Sequence, residues 1–323
     1  SIANNGTIAG NGTSINSTGN ITLAAVTGAN HNLTVLSAGT TAWGGNVSGV
    51  TNLNTDAGGS NTVSADIATT GSQTWGDAVT VSGTGTRNFE APTLVFQGAL
   101  SAGNTSNIKL STNSLSLSSA IAVSGSNQTA QVDAFTAGTS IGLAGAPGTL
   151  ALSQVAIDQF AGFSQLTIGG GNNAITAASA LTLSTHTTLN AGLAVVNLGA
   201  VNGAGFDLAI NSGATTTLGG AIQGVRQLST DAAGSTVINA LTLSGRSSAT
   251  VARSCWTCCA SRATNGFPAT SRSPARVTAC SRLLLASGEI CAGASSTSMN
   301  AAPCTDNGCS VAAPAARPSD NQW

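Results

Sequence analysis

The sequence has no tyrosine, and it is poor in charge and in rings: charged residues make up 7% and aromatics 3% of its 323 positions. Roughly a quarter of an ordinary globular chain is charged. So few large side chains exclude a thick aromatic core. The net charge of −1 excludes the electrostatic footprint of a nucleic-acid or anionic-membrane binder. Low charge and a mean hydropathy of +0.22 also exclude polyelectrolyte disorder. No run of about 18 apolar residues occurs, so no transmembrane helix is expected. The chain opens at Ser1 without methionine or a charged, apolar leader, and it reads as an internal fragment whose export signal and anchor lie elsewhere.

Gly, Ala, Ser, Thr and Asn fill most of the chain, with many Val, Ile and Leu among them. Short alternating segments recur: Ile21-Thr-Leu23, Leu33-Thr-Val35, Ala78-Val-Thr-Val81, Leu94-Val-Phe96, Ile108-Lys-Leu110, Leu166-Thr-Ile168. Apolar residues at i and i+2 mark strands, and Gly, Asn, Ser and Asp between them mark turns. No stretch carries a capped 3.6-residue period, so no helix is expected. A tandem sandwich would need more large rings, whereas stacked coils bury small aliphatic residues on one another. The reading is a right-handed parallel β-helix over 1–245, with roughly ten coils of about 20–25 residues each.

An internal copy supports it. Residues 21–60 align without a gap to 196–235, with 19 of 40 positions identical. Leu33 matches Leu208, Gly44–Gly45 match Gly219–Gly220, and Thr55-Asp56-Ala57 matches Thr230-Asp231-Ala232. With a one-residue gap the match reaches Gly71 and Gly245, and then stops.

The composition changes at the same place. All seven cysteines fall between Cys255 and Cys309, and five of seven prolines follow residue 260. The balance of charge is −4 up to residue 250 (eight acidic, four basic) and +3 from 251 onward (three acidic, six basic). Two explanations compete: a second, cysteine-bearing domain, or a lost reading frame that yields an accidental tail over 246–323. Arg, Cys, Pro and Trp enrichment where the repeat breaks favours the second, with a poorly structured tail. Cys255-Trp-Thr-Cys258 lacks a second pair or a nearby histidine to complete a zinc site.

The phrases ATTGSQTWGDAVTVSG (68–83), APTLVFQGALSAGNTSNIKLSTNSLSLSSAI (91–121) and GFSQLTIGGGNNAITAASALTL (162–183) carry a family likeness. With GNITLAAVTG (19–28) and VTNLNTDAGGSNTVSADI (50–67), they resemble the repeat region of large bacterial exoproteins, the filamentous-haemagglutinin-like adhesins exported by two-partner secretion or as autotransporter passengers. The resemblance covers nearly all of 1–245 and none of the tail. It implies a β-helical rod on the outside of the cell, an outer-membrane translocator outside this chain, and a role in adhesion or biofilm. It carries over no catalytic or ligand motif.

The residues themselves nominate no catalytic, cofactor-binding or metal-binding position. His31 and His186 are the only histidines. His31 aligns with Phe206, so the position tolerates a non-ligand, and an exposed-loop or coil-packing histidine is the reading for both. Asp56 and Asp231 read as side chains that close a turn onto their own backbone, and Asp207, matching Asn32, also reads as a turn residue. GGGNNA at 169–174 reads as a turn and lacks the calcium nonapeptide pattern. Sequons beginning at Asn5, Asn11, Asn32, Asn46, Asn104 and Asn127 leave glycosylation open. The expected function is a non-enzymatic adhesive stalk contacting host glycan, matrix or neighbouring cells. A β-helix enzyme acting on polysaccharide and a self-associating biofilm scaffold are the alternatives.

Overall fold

The computed structural model describes residues 6–231 and 233–239, and beyond them the strands Ser248–Val251, Val277–Ala279, Ser281–Leu285 and Gly288–Ala292. It is a parallel β-solenoid of about 11 turns. Pairing partners lie one coil apart: Gly6 opposes Val26, Leu33 opposes Leu53, Gly85 opposes Ser106 and Ile108 opposes Ala130, so a coil takes 20–22 residues. At about 4.8 Å per stacked strand the coils build a rod of roughly 50 Å.

One face is a seventeen-stranded sheet running the length of the rod. A second face is made of two six-stranded sheets in succession, the first ending at Ala122–Val123 and the second starting at Ser140–Leu143 and Leu150–Leu152. A short three-stranded sheet, Leu181–Thr182, Val201–Asn202 and Ile222–Gln223, closes the later coils.

Alternation decides which side chains enter the core. Ser72–Trp75, Thr93–Phe96, Ala174–Ala177 and Thr215–Leu218 all bury every second residue. In-register stacking then turns each inward position into a column. Ile108, Ala130, Leu166, Thr187, Leu208 and Leu228 form one such column down the long face. A one-residue slip would expose the whole column, so the apolar pattern fixes the register.

The core departs from the expected ladder of small residues. Trp43, Trp75, Phe89 and Phe96 are all buried and touch one another. The Trp75 ring stacks on Phe96 at 6.3 Å and 5°, and meets Trp43 and Phe89 edge-on at 5.5 and 5.7 Å. Rings are few in this chain, but those of the early coils are concentrated in one cluster. Gln73 lies fully buried beside them. Its Nε2 donates to the carbonyls of Ile67 and Glu90 at 2.9 and 3.0 Å, and its Oε1 accepts from Trp75 Nε1 at 3.3 Å.

Among residues 6–239 the coil length departs widely from 20–22 residues once. Thr129 pairs with Gln165, so this coil carries extra chain. The surplus holds Leu150–Leu152 and one helix, Gln154–Asp158, where the sequence pattern predicts none. Ser153 caps it by accepting the Ala156 N–H. Five residues are too few to show a 3.6-residue period, which is why alternation alone does not reveal the helix. Two side-chain amides tie this insert to both neighbours. Gln154 pairs with the free edge at Thr182, donating to its carbonyl at 2.8 Å and accepting its N–H at 3.0 Å. Gln159 donates to the Leu117 carbonyl at 3.1 Å, and its own carbonyl accepts the Ile121 N–H at 2.9 Å. The insert thereby satisfies the free edge of the three-stranded sheet at Thr182 and the end of the long-face strand Ser114–Leu117.

Ser248–Val251 pairs in parallel with Gln227–Thr230, and Val277–Ala279 pairs with Ala249–Val251. Ser281–Leu285 and Gly288–Ala292 form an antiparallel hairpin. The expected domain boundary at 245, the CxxC at Cys255–Cys258, and most of the 246–323 tail lie outside the described residues.

Candidate functional site

The polar features of the rod fall into two kinds: corner ladders that join coils, and one groove with charge in it.

The corners repeat with the sequence. Asp56 accepts the Ser37 N–H at 3.1 and 3.2 Å, and its counterpart Asp231 accepts the Ser212 N–H at 3.0 Å. The hydroxyls of Ser37 and Ser212 donate in turn to the carbonyls of Gly19 and Ala194 at 2.9 and 2.8 Å. Thr40 and Ser60 share a hydroxyl bond of 3.0 Å, as Thr215 and Ser235 do at 3.1 Å. The expectation that these aspartates close a turn onto their own backbone holds in part for Asp231, which also meets its own N–H, but each carboxylate in addition reaches the coil beneath. Chain neighbours are all that a sequence displays, so a bond spanning one coil looks like a local turn. Asp77 continues the corner by accepting the Gly59 N–H at 2.7 Å. Burial raises the Asp77 carboxyl above the usual range, the Gly59 N–H pulls it back, and the charge of Asp56 pushes the same way as burial. Burial likewise raises Asp231, against the Ser212 N–H and its own N–H.

An asparagine ladder runs up an adjacent edge. Asn11 Oδ1 accepts the Asn32 N–H at 3.4 Å, Asn32 Oδ1 accepts the Asn52 N–H at 3.1 Å, and Asn52 Oδ1 accepts the Ser72 N–H at 2.8 Å. Asn46 accepts from Asp66 N–H at 3.1 Å. Of the sequon asparagines, Asn11, Asn32 and Asn46 thus hold coils together through their side-chain oxygens. His31 is half-buried opposite Val50, where the pairing register shifts.

The groove lies on the long face of the later coils and encloses about 340 Å³. Gln165, His186 and Asp207 stand at one height on three successive coils, with Gln227 on the fourth and Thr188 and Ser229 beside them. His186 Nδ1 accepts the Asp207 N–H at 3.1 Å and sits 3.4 Å from Asp207 Oδ2, while its ring meets Phe206 edge-on at 5.5 Å. Arg226 grips Asp207 in a two-pronged pair, with Nε on Oδ1 at 2.8 Å and a second prong on Oδ2. Asp207, expected as a turn residue, instead lies just before the strand Leu208–Ser212 and belongs to an ion pair. The expectation of a packed histidine fits His186, and its partners add a polar platform. Such a surface offers amide, hydroxyl and imidazole groups to a hydroxylated ligand. Its one carboxylate is committed to Arg226, so it is poorly placed as a free base. Coil spacing brings these residues together, and writing the sequence in rows of 20–22 would have revealed them.

No helix among the described residues is long and apolar enough to cross a membrane. Among the same residues, no group of three or more His, Cys, Asp or Glu comes together to hold a metal ion. Comparison of the chain with protein-family models, with curated proteins and with solved structures finds no match.

Proposed function

We propose that this solenoid is a stalk segment of an exported bacterial surface adhesin of the filamentous-haemagglutinin-like kind, holding contact surfaces away from the cell. The observation that carries the reading is the internal repeat: copies 175 residues apart in sequence reproduce the same strands and the same corner bonds. A fold that adds coils without changing its corners extends by length alone, as a spacer requires. Adhesion through such a rod rests on many weak contacts along one partner surface. The polar groove at His186, Asp207 and Gln227 is one such contact for host glycan.

Beads coated with the purified chain test this. They are expected to adhere to cultured host cells or immobilised glycan and matrix, and soluble chain is expected to compete. Beads that adhere no better than bare ones contradict the reading. The His186–Asp207–Arg226 cluster favours one second reading, a β-helix enzyme acting on polysaccharide. Release of reducing ends from a polysaccharide panel, lost in Asp207→Asn, would establish the enzyme in place of the stalk.

A further inference from the structure

Asp133 and Asn173 place two buried oxygens where no protein donor reaches them. Asp133 ends the strand Thr129–Asp133 and is 8% exposed, while Asn173 follows the Gly169-Gly170-Gly171 turn and is 0% exposed. Asp133 Oδ1 and Asn173 Oδ1 accept no hydrogen bond from any protein group. The orientation of the Asn173 amide is fixed by its other end. Nδ2 donates to the carbonyls of Thr136 and Thr139 at 3.3 and 3.1 Å, and reversing the amide would set oxygen against oxygen. Oδ1 therefore faces away from those carbonyls, toward Gly171.

The glycines leave the room. A β-carbon on Gly171 would stand 3.2 Å from Asn173 Oδ1 and 3.8 and 3.9 Å from the two carboxylate oxygens of Asp133. One on Gly170 would stand 2.6 Å from Gln131 Nε2 and 3.2 Å from Asp133 Oδ2. The space at Gly171 is thus rimmed by a carboxylate and an amide oxygen, with the Gln131 amide nitrogen on the Gly170 side.

We propose that this cradle binds one calcium ion, with Asp133 and Asn173 as its side-chain ligands. Asp133 Oδ1 and Asn173 Oδ1 stay unpaired even with the Gln131 amide nitrogen and the Ala134 N–H close to the carboxylate, and a desolvated carboxylate beside an unpaired amide oxygen favours a positive charge between them. Oxygen-only ligands on a glycine turn suit a large, geometrically tolerant cation; magnesium demands tight octahedral ligation. Burial raises the Asp133 carboxyl against the opposing pull of Lys109 and the Ala134 N–H. A single carboxylate ligand sets weak affinity, with a dissociation constant of roughly 10⁻⁴–10⁻³ M, the range of extracellular modules. The ion would pin the insert-bearing coil to the one above it.

Thermal unfolding of the full chain after chelation tests the site. Calcium at 10 mM should raise Tm by several degrees, and magnesium at the same concentration should not. Asp133→Asn should abolish the calcium response. Asn173→Asp adds a second charge and should tighten calcium binding at least several-fold by calorimetry. A wild-type Tm indifferent to calcium overturns the proposal, because the two oxygens are then met by a proton or water. Equal responses to calcium and magnesium, or a response retained in Asp133→Asn, overturn it as well.

Discussion

The early coils and the later coils share a plan and differ in filling. Trp43 of the first copy corresponds to Leu218 of the second, and both are fully buried at the end of their strands. Trp43 packs on Trp75, which in turn meets Phe89 and Phe96, whereas Leu218 is stacked between Leu198 and Ile238. The corners hardly change: Asp56 and Asp231, Ser37 and Ser212, Thr40 and Thr215 make the same bonds. Corner chemistry thus sets coil geometry, while the interior accepts rings or aliphatic groups if neighbouring coils adjust their volume.

Cavities should separate the two halves most. Trp75→Ala removes the ring at the centre of the aromatic cluster and is expected to cost ~3–5 kcal/mol, and Leu218→Ala about 2–4 kcal/mol, both read from urea midpoints. Equal losses would show that the cluster adds nothing beyond ordinary burial.

Close backbone approach should act alike in both copies. A β-carbon on Gly59 would stand 2.0 Å from the Gly39 carbonyl, and one on Gly234, whose φ is +69°, 1.8 Å from the Ala214 carbonyl. Gly59→Ala and Gly234→Ala are each expected to lose about 1–3 kcal/mol. A large loss at one position alone would end the claim of a shared corner.

Corner carboxylates come next. Asp56→Ala and Asp231→Ala should each cost ~1–3 kcal/mol, since each strands the N–H of the coil beneath. The raised carboxyls of Asp77 and Asp231 also set a pH trend. A carboxyl raised in the folded state binds its proton more tightly there, so its contribution is fully present below the unfolded pKa and fades as pH rises through the folded one. The double variant Asp77→Asn/Asp231→Asn should therefore flatten the decline in stability from pH 4 upward; an unchanged slope refutes the assignment. The hydroxyl pairs are the smallest contributors: Thr40→Val and Thr215→Val should each shift stability by ~0.5–1.5 kcal/mol or less.

Parallel coils were legible because alternation and the 21–60 and 196–235 copy both survive in one dimension. The aromatic cluster was not, since Trp43, Trp75, Phe89 and Phe96 look isolated until coils stack them. Asp56 and Asp231 look like turn residues in the sequence, because their partners at Ser37 and Ser212 lie one coil away and carry no local signal. His186 stands alone in the sequence, whereas Asp207 and Arg226 complete its surroundings from the next two coils. Asp133 and Asn173 escaped for a further reason: the insert containing Gln154–Asp158 breaks the coil spacing that would have aligned them.

The most direct test of the stalk reading is labelling of intact source cells with antibody raised against residues 6–239. The account predicts label on unpermeabilised cells, removed by brief external protease. Label that appears only after permeabilisation would contradict it.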